Sequence, residues 1–300
     1  MVESSSPLSP EVLSRLSGLK VQVQRVVEGV LAGLHRSARH GVSIEFAEHK
    51  EYAPGDDPRH LDWRVLGRLD RYYIKKYEDE TNLQASLALD MSGSMGYGSG
   101  PFTKAEYAAL LTASLAALVL RQGDASGLIL LGGSRPTHLP PVARPEHLGD
   151  IVQAIEAARA QGPTDLQQAA KIFVERSRRR GMLVLLSDLF DPAPDVLASY
   201  KMVAARGHEV VVFHVLDPDE LDFPFEDPSQ FESMEDERRV LAFPREVKQA
   251  YLKELQVFMD QTRRSLAEAG MCYELVRTDE PPHQPLIRHL TRRKAVRRWS

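Results

Sequence analysis

The sequence predicts an α/β protein whose mostly parallel sheet carries helices on both faces. Three observations predict it. Short apolar runs at 83–89, 127–131, 182–186 and 210–215 read as strands, and the last two are continuous enough to be buried on both faces. Stretches with helical apolar spacing alternate with them from residue 83 onward, the pattern of strand-helix-strand units. Polar turns containing Asp, Ser and Gly follow the strands at 90–100 and 187–188, the ends where such a sheet gathers its functional groups.

Length and composition set outer limits. Three hundred residues, 43% hydrophobic and 27% charged, suffice for one large core with an elaborated end. A net charge of -4 gives no global bias toward nucleic acid, and no nucleic-acid partner is expected. Cys272 is the single cysteine, which excludes an intrachain disulfide and a thiolate cluster and fits a reducing compartment. The longest apolar run, 107–120, is interrupted by Thr112 and Ser114 and falls short of a bilayer span. Residues 1–10 lack a basic-then-apolar leader pattern. The expectation is a cytoplasmic protein without a membrane span.

Three segments are expected. Residues 1–80 form an N-terminal extension packed on the sheet, with helical spacing over 10–34 and then a charged stretch. That stretch, 45–80, carries ten acidic and seven basic residues together with Tyr52, Trp63, Tyr72, Tyr73 and Tyr77. Its strands are expected at 44–52 and 72–78, a turn at 54–58 and a short helix at 59–69. Residues 81–280 form the sheet domain. Thr103-Lys104-Ala105-Glu106 has the form of a capping box and opens an Ala- and Leu-rich helix that stops before Gly123. Pro145 suits a first helical position, Thr164 lies in a loop before a helix with Leu166, Ala169, Ala170 and Phe173 inward, and Asp191-Pro192 opens another. An insertion at 217–239 has ten acidic residues and no basic one within 217–237, with exposed-looking Leu221, Phe223 and Phe225. It reads as a solvated loop or a docking edge. A long helix over 245–269 and a strand over 271–276 resume the fold. Residues 281–300 form a basic C-terminal helix or tail, with six Arg or Lys and no acid from 288 onward.

Asp90-Met91-Ser92-Gly93-Ser94 ends the first strand of the sheet and runs into the Gly-rich turn at 96–100. Asp90, Ser92 and Ser94 alternate, so their oxygens can converge once the chain turns. Oxygen-only donors suit a hard cation such as Mg2+ or Mn2+ rather than zinc or copper. Taken alone, the motif is equally a polar strand-to-helix turn. Thr164 from a later loop and Asp188 after a second strand bring further oxygens to the same edge and favour the cation.

These five residues resemble the metal-ion-dependent adhesion site of von Willebrand factor A domains, with Asp-x-Ser-x-Ser, a later Thr and a later Asp in order. The resemblance implies a von Willebrand factor A-like, Rossmann-like sheet. It also implies a divalent ion, Mg2+ or Mn2+, held by Asp90, Ser92, Ser94, Thr164 and Asp188 and completed by a partner's carboxylate. Gly41-Val42-Ser43-Ile44-Glu45-Phe46, Tyr52-Ala53-Pro54-Gly55-Asp56-Asp57, Leu61-Asp62-Trp63, Lys76-Tyr77-Glu78-Asp79-Glu80 and the Asp90 motif further resemble the bacterial family called domain of unknown function 58. Members of that family are typically encoded beside MoxR-type AAA+ ATPases, which implies such an ATPase or its client as partner. Gly96, Tyr97, Asp191, Phe223 and Phe225 are expected to supply partner surface around the site. The expected function is a non-enzymatic, cation-dependent protein-binding adaptor.

A metal-dependent phosphoester hydrolase is the alternative, with the same cation activating water or Ser92 or Ser94 serving as nucleophile. The Gly-x-Ser-x-Gly elbow, the phosphate-binding Gly-x-x-x-x-Gly-Lys-Ser/Thr loop and His-Glu-x-x-His are all absent. His60, His138, His147, His208 and His214 are candidates to approach the site, but scattered core or surface histidines are the expectation.

Overall fold

Val23, Val26, Val27 and Val30 line one stripe of the first described helix, α1 (Leu19–Arg39). Their spacing is that of an amphipathic helix, so one continuous helix begins inside the stretch expected at 10–34 and ends beyond it. A computed structural model describes residues 18–39, 49–51, 73–75, 83–132, 135–190, 194–234 and 239–297. The turn expected at 54–58 and the helix expected at 59–69 lie outside the described residues. Two compact units divide the chain: one holds the residues up to Val30 and from Leu83 onward, the other lies within Leu31–Asn82. In the second unit β1 (His49–Glu51) pairs antiparallel with β2 (Tyr73–Lys75).

The first unit is built on a six-stranded sheet. Its strands are β3 (Gln84–Asp90), β4 (Ala125–Leu131), β5 (Thr137–Val142), β6 (Met182–Ser187), β7 (Glu209–Leu216) and β10 (Cys272–Arg277), in spatial order β10-β7-β6-β3-β4-β5. All neighbours are parallel except β5, which runs antiparallel along β4 at one edge. This is the mostly parallel α/β architecture with helices on both faces that the sequence predicts. The apolar runs have their form because both faces are covered. Ala88, Ile129, Leu183, Leu185, Val210 and Val212 pack on one face against α4 (Gln167–Arg176), α5 (Pro194–Ala205) and Leu266 of α7 (Pro244–Glu268). On the other face α2 (Lys104–Arg121) lies across β3, β4, β6 and β7, with α3 (His147–Ala157) against β4 and α8 (His283–Arg297) against β10.

Two regions differ from the sequence expectation, and a third takes one of the two forms expected of it. β5 was not expected, because Thr137-His138-Leu139-Pro140-Pro141-Val142 has two prolines and half-exposed side chains. An edge strand tolerates both, since its outer N–H groups need no partner. The acidic insertion is not a solvated loop. Asp217 caps the short helix α6 (Pro218–Asp222) in a capping box with Glu220, and β8 (Ser229–Glu232) pairs antiparallel with β9 (Arg239–Ala242). The basic end is no free tail either: within α8, Leu286 and His289 are buried, Arg288 and Arg292 bind Glu274, and Arg293 binds Glu209.

Candidate metal centre

The chain leaves β3 for β4 on one side of the sheet and later returns to place β6 on the other side. The crevice beyond the carboxyl ends of β3 and β6 is therefore the switch point where an open α/β sheet binds ligands. Leu89 and Leu186 are register partners. That register brings the next residues, Asp90 and the Ser187-Asp188 pair, side by side. Asp90 and Asp188 are 1% and 4% exposed. Asp90 accepts from the Ser92 N–H at 2.9 Å on Oδ1 and from the Ser187 hydroxyl at 2.6 Å on Oδ2. Asp188 folds its own turn, with Oδ1 accepting from the Phe190 N–H at 3.0 Å. Leu189 between them takes the left-handed conformation, φ 51°, and its N–H reaches the Ser187 hydroxyl at 3.0 Å.

Burial and the neighbouring Asp188 push the Asp90 carboxyl up to about 6, against hydrogen bonds from Ser187 and Ser92 that favour its charged form. Two carboxylates pressed together away from water need positive charge. Ser92 and Ser94 place their hydroxyls 3.1 Å apart at the same strand end, Ser92 being 1% exposed. Among the described residues no three His, Cys, Asp or Glu side chains gather as metal ligands. A cation here would have to draw on hydroxyl oxygens as well as on Asp90 and Asp188, the donor chemistry of a hard ion.

The loop carrying Thr164 is held to the motif by its backbone. Gly93 N–H donates to the Gly162 carbonyl at 2.7 Å, and Gln161 N–H donates to the Met91 carbonyl at 3.1 Å. Half-buried Thr164 sits two residues farther on, lining a small cleft with Leu131, Gly132 and Gln168. Among the described residues no hydrogen bond joins it to Asp90, Ser92, Ser94 or Asp188.

Lys104 is part of the site, beyond the capping box in which its sequence spacing places it. That box forms, with Thr103 and Glu106 bonding each other's backbone N–H groups. Yet the Lys104 ammonium is 1% exposed and donates to Asp188 Oδ2 at 2.7 Å and to Glu220 Oε1 at 2.6 Å. Burial would drive it toward the neutral amine, but the two carboxylates outweigh that and hold its pKa above the ordinary value. The legible signal was a lysine in the first turn of a helix, where the helix dipole disfavours a cation unless carboxylates answer it.

His214 also touches the site. Its Nε2 donates to the Asp188 carbonyl at 2.8 Å and its Nδ1 accepts from the Tyr273 hydroxyl at 2.7 Å. A carbonyl only accepts, which assigns the tautomer. Burial lowers this ring to about 4. A neutral imidazole with both nitrogens engaged is a support for Asp188 rather than a base for Ser92 or Ser94.

The rim differs from expectation. Tyr97 is tied down by its hydroxyl, which donates to Asp219 Oδ2 at 3.0 Å, and Ser99 donates twice to Asp217. Gly96 lies under Met234, whose terminal methyl would be 3.2 Å from a Cβ there. Asp191 lies outside the described residues. Phe223 is not exposed: it is 6% accessible, packed among Phe225, Phe231 and Tyr251 with centroid distances of 4.8 to 6.0 Å. Half-buried Phe225 packs edge-on to Phe223 and Phe231. Among the described residues, exposed apolar side chains beside the site include Phe190, 61% accessible and two residues after Asp188, and Met234, 48% accessible.

No helix among the described residues is long and apolar enough to cross a membrane. Uncharacterized proteins of Mycobacterium bovis and Mycobacterium tuberculosis are each 30% identical over 219 residues, 72% of this chain and 68% of theirs. Among solved structures, the conserved hypothetical protein BatB from Bacteroides thetaiotaomicron is 16% identical over 70% of this chain and 98% of its own, with a TM-score of 0.47. The SpRpn10 VWA domain is 12% identical over 68% of this chain and 94% of its own, with a TM-score of 0.40. A family model described as "Protein of unknown function DUF58" matches residues 48–257, and the chain belongs to that family.

Proposed function

We propose that this chain is a divalent-cation-dependent protein-binding adaptor rather than an enzyme. Asp90, Ser92, Ser94, Thr164 and Asp188 would hold Mg2+ or Mn2+. The bound ion supplies a Lewis-acidic position that a partner's Asp or Glu can complete. The observation that carries this reading is the buried pair of Asp90 and Asp188 at the sheet's switch point, with two serine hydroxyls 3.1 Å apart beside them. The chain's own residues do the arranging. Ser187 and the Ser92 N–H orient Asp90, while Phe190 N–H and Lys104 orient Asp188. Exposed Phe190 and Met234 offer apolar contact around a docked acidic group.

The family resemblance points to a MoxR-type AAA+ ATPase, or a client that this ATPase remodels, as the partner, in protein assembly or remodelling. The test is capture of the purified ATPase or its client on the immobilised chain in Mg2+ and in chelator. Retention is expected only with the cation, and is lost in the double variant Asp90→Ala with Thr164→Ala. Equal retention with and without chelator refutes the reading.

A further inference from the structure

We infer that Lys104 is a resident counter-ion of this centre, sharing Asp188 with any divalent ion that binds there and so coupling occupancy to the acidic helix α6. The inference rests on the metal reading above and adds to it what sets affinity and what moves. Two carboxylates, Asp188 and Glu220, share one ammonium, which Lys104 holds at 2.7 and 2.6 Å, and Asp90 lies beside the first of them. The Lys104 backbone cannot drift, because its N–H donates to the Tyr97 carbonyl at 2.8 Å and it opens α2. Only its side chain is free to answer a second cation.

A divalent ion drawing on Asp188 adds two positive charges beside that ammonium where water screens them poorly. Lys104 must then weaken its hold on Asp188 and lean on Glu220. Glu220 is already engaged, since its Oε2 accepts from the Asp217 N–H at 2.8 Å to close the capping box of α6. A stronger pull from Lys104 on Oε1 therefore strains the box. Metal occupancy is felt in the segment that leads into the β8–β9 hairpin, while Asp217 keeps its bonds to Ser99 and Thr278.

Mn2+ titration followed by the loss of free-ion EPR signal tests this on the full chain. Lys104→Met is expected to bind Mn2+ more tightly than wild type, on the order of tenfold, because a competing charge is gone. Glu220→Gln is expected to bind more weakly, because Lys104 then falls back on Asp188. In wild type, Mg2+ should speed amide hydrogen exchange over residues 219–223, and in Lys104→Met it should not. Binding by Lys104→Met but not by wild type also supports the inference. Wild-type binding that Lys104→Met fails to tighten, or exchange over 219–223 that ignores Mg2+ in a wild type that binds the ion, overturns the inference alone and leaves the metal reading standing. Absence of binding in every form overturns both. If Lys104→Met does not fold, Glu220→Gln and wild-type exchange still decide.

Discussion

The backbone carbonyl of Met234 rests on Gly93 so closely that a Cβ built on Gly93 would collide with that oxygen. Gly93 has φ -57° and ψ -43°, a conformation open to any residue, so glycine is required here by closeness and not by backbone freedom. Two remote segments thus meet at the motif, the strand end and the chain leaving β8. Gly93→Ala is expected to force them apart, destabilising the protein by about 1–3 kcal/mol, the usual range for overpacking. Limited proteolysis should show faster cleavage between residues 229 and 242. Wild-type stability and cleavage in this variant would mean that the arm does not sit on the turn.

Asp90 is expected to be a liability without a cation. Its folded pKa is raised to about 6 by burial and by Asp188, so the native state binds a proton that the unfolded chain releases between about pH 6 and 3.8. The sign is that Asp90 lowers stability above pH 6 and that this cost vanishes as pH falls below 3.8. Asp90→Asn should therefore raise stability in chelator at pH 7.5 by about 2 kcal/mol, with the gain shrinking toward pH 4. The same variant should lose any stabilisation that Mg2+ gives wild type. Denaturant curves at the two pH values check this, and a variant less stable at pH 7.5 contradicts it.

Packing and docking separate at two phenylalanines. Phe223→Ala removes the centre of the Phe225, Phe231 and Tyr251 cluster and should cost about 3–5 kcal/mol. Phe190→Ala, at an exposed ring, should stay within about 0.5 kcal/mol of wild type. If Phe190 belongs to the docking rim, its variant loses partner retention at unchanged stability. Partner retention unaffected by Phe190→Ala removes that residue from the rim.

The contrast between these residues shows what sequence pattern carries. Burial on both faces makes a strand continuously apolar, so 182–186 and 210–215 announced themselves, and with them the sheet and its switch point. Phe223 did not, because ten surrounding carboxylates hide an aromatic cluster that only the folding back of β8 and of α7 creates. The box of Asp217 and Glu220 was written in the sequence as an N-cap followed three residues later by Glu, but loop composition obscured it. Asp90, Ser92 and Asp188 were legible because strand ends in a parallel sheet collect at one edge. Lys104 was not, because its partners lie 84 and 116 residues away and no local spacing links them.

Acid sensitivity should come from buried histidines. His289 packs edge-on to Phe213 at 5.5 Å, and burial together with Arg293 and Arg292 lowers it to about 4. In the unfolded chain it titrates near 6.5, so between pH 6.5 and 4 the unfolded state takes up a proton that the native state refuses. Its contribution is fully present above pH 6.5 and is lost as pH falls through that window, by about 2 kcal/mol between pH 7 and pH 5. His214 acts in the same direction, whereas Asp90 acts in the opposite one, so the total slope of wild type does not isolate His289. The difference between wild type and His289→Phe does. Urea unfolding at pH 7 and pH 5 should show the variant losing about 2 kcal/mol less than wild type on acidification. Equal losses would place the His289 proton on the native protein as readily as on the unfolded chain.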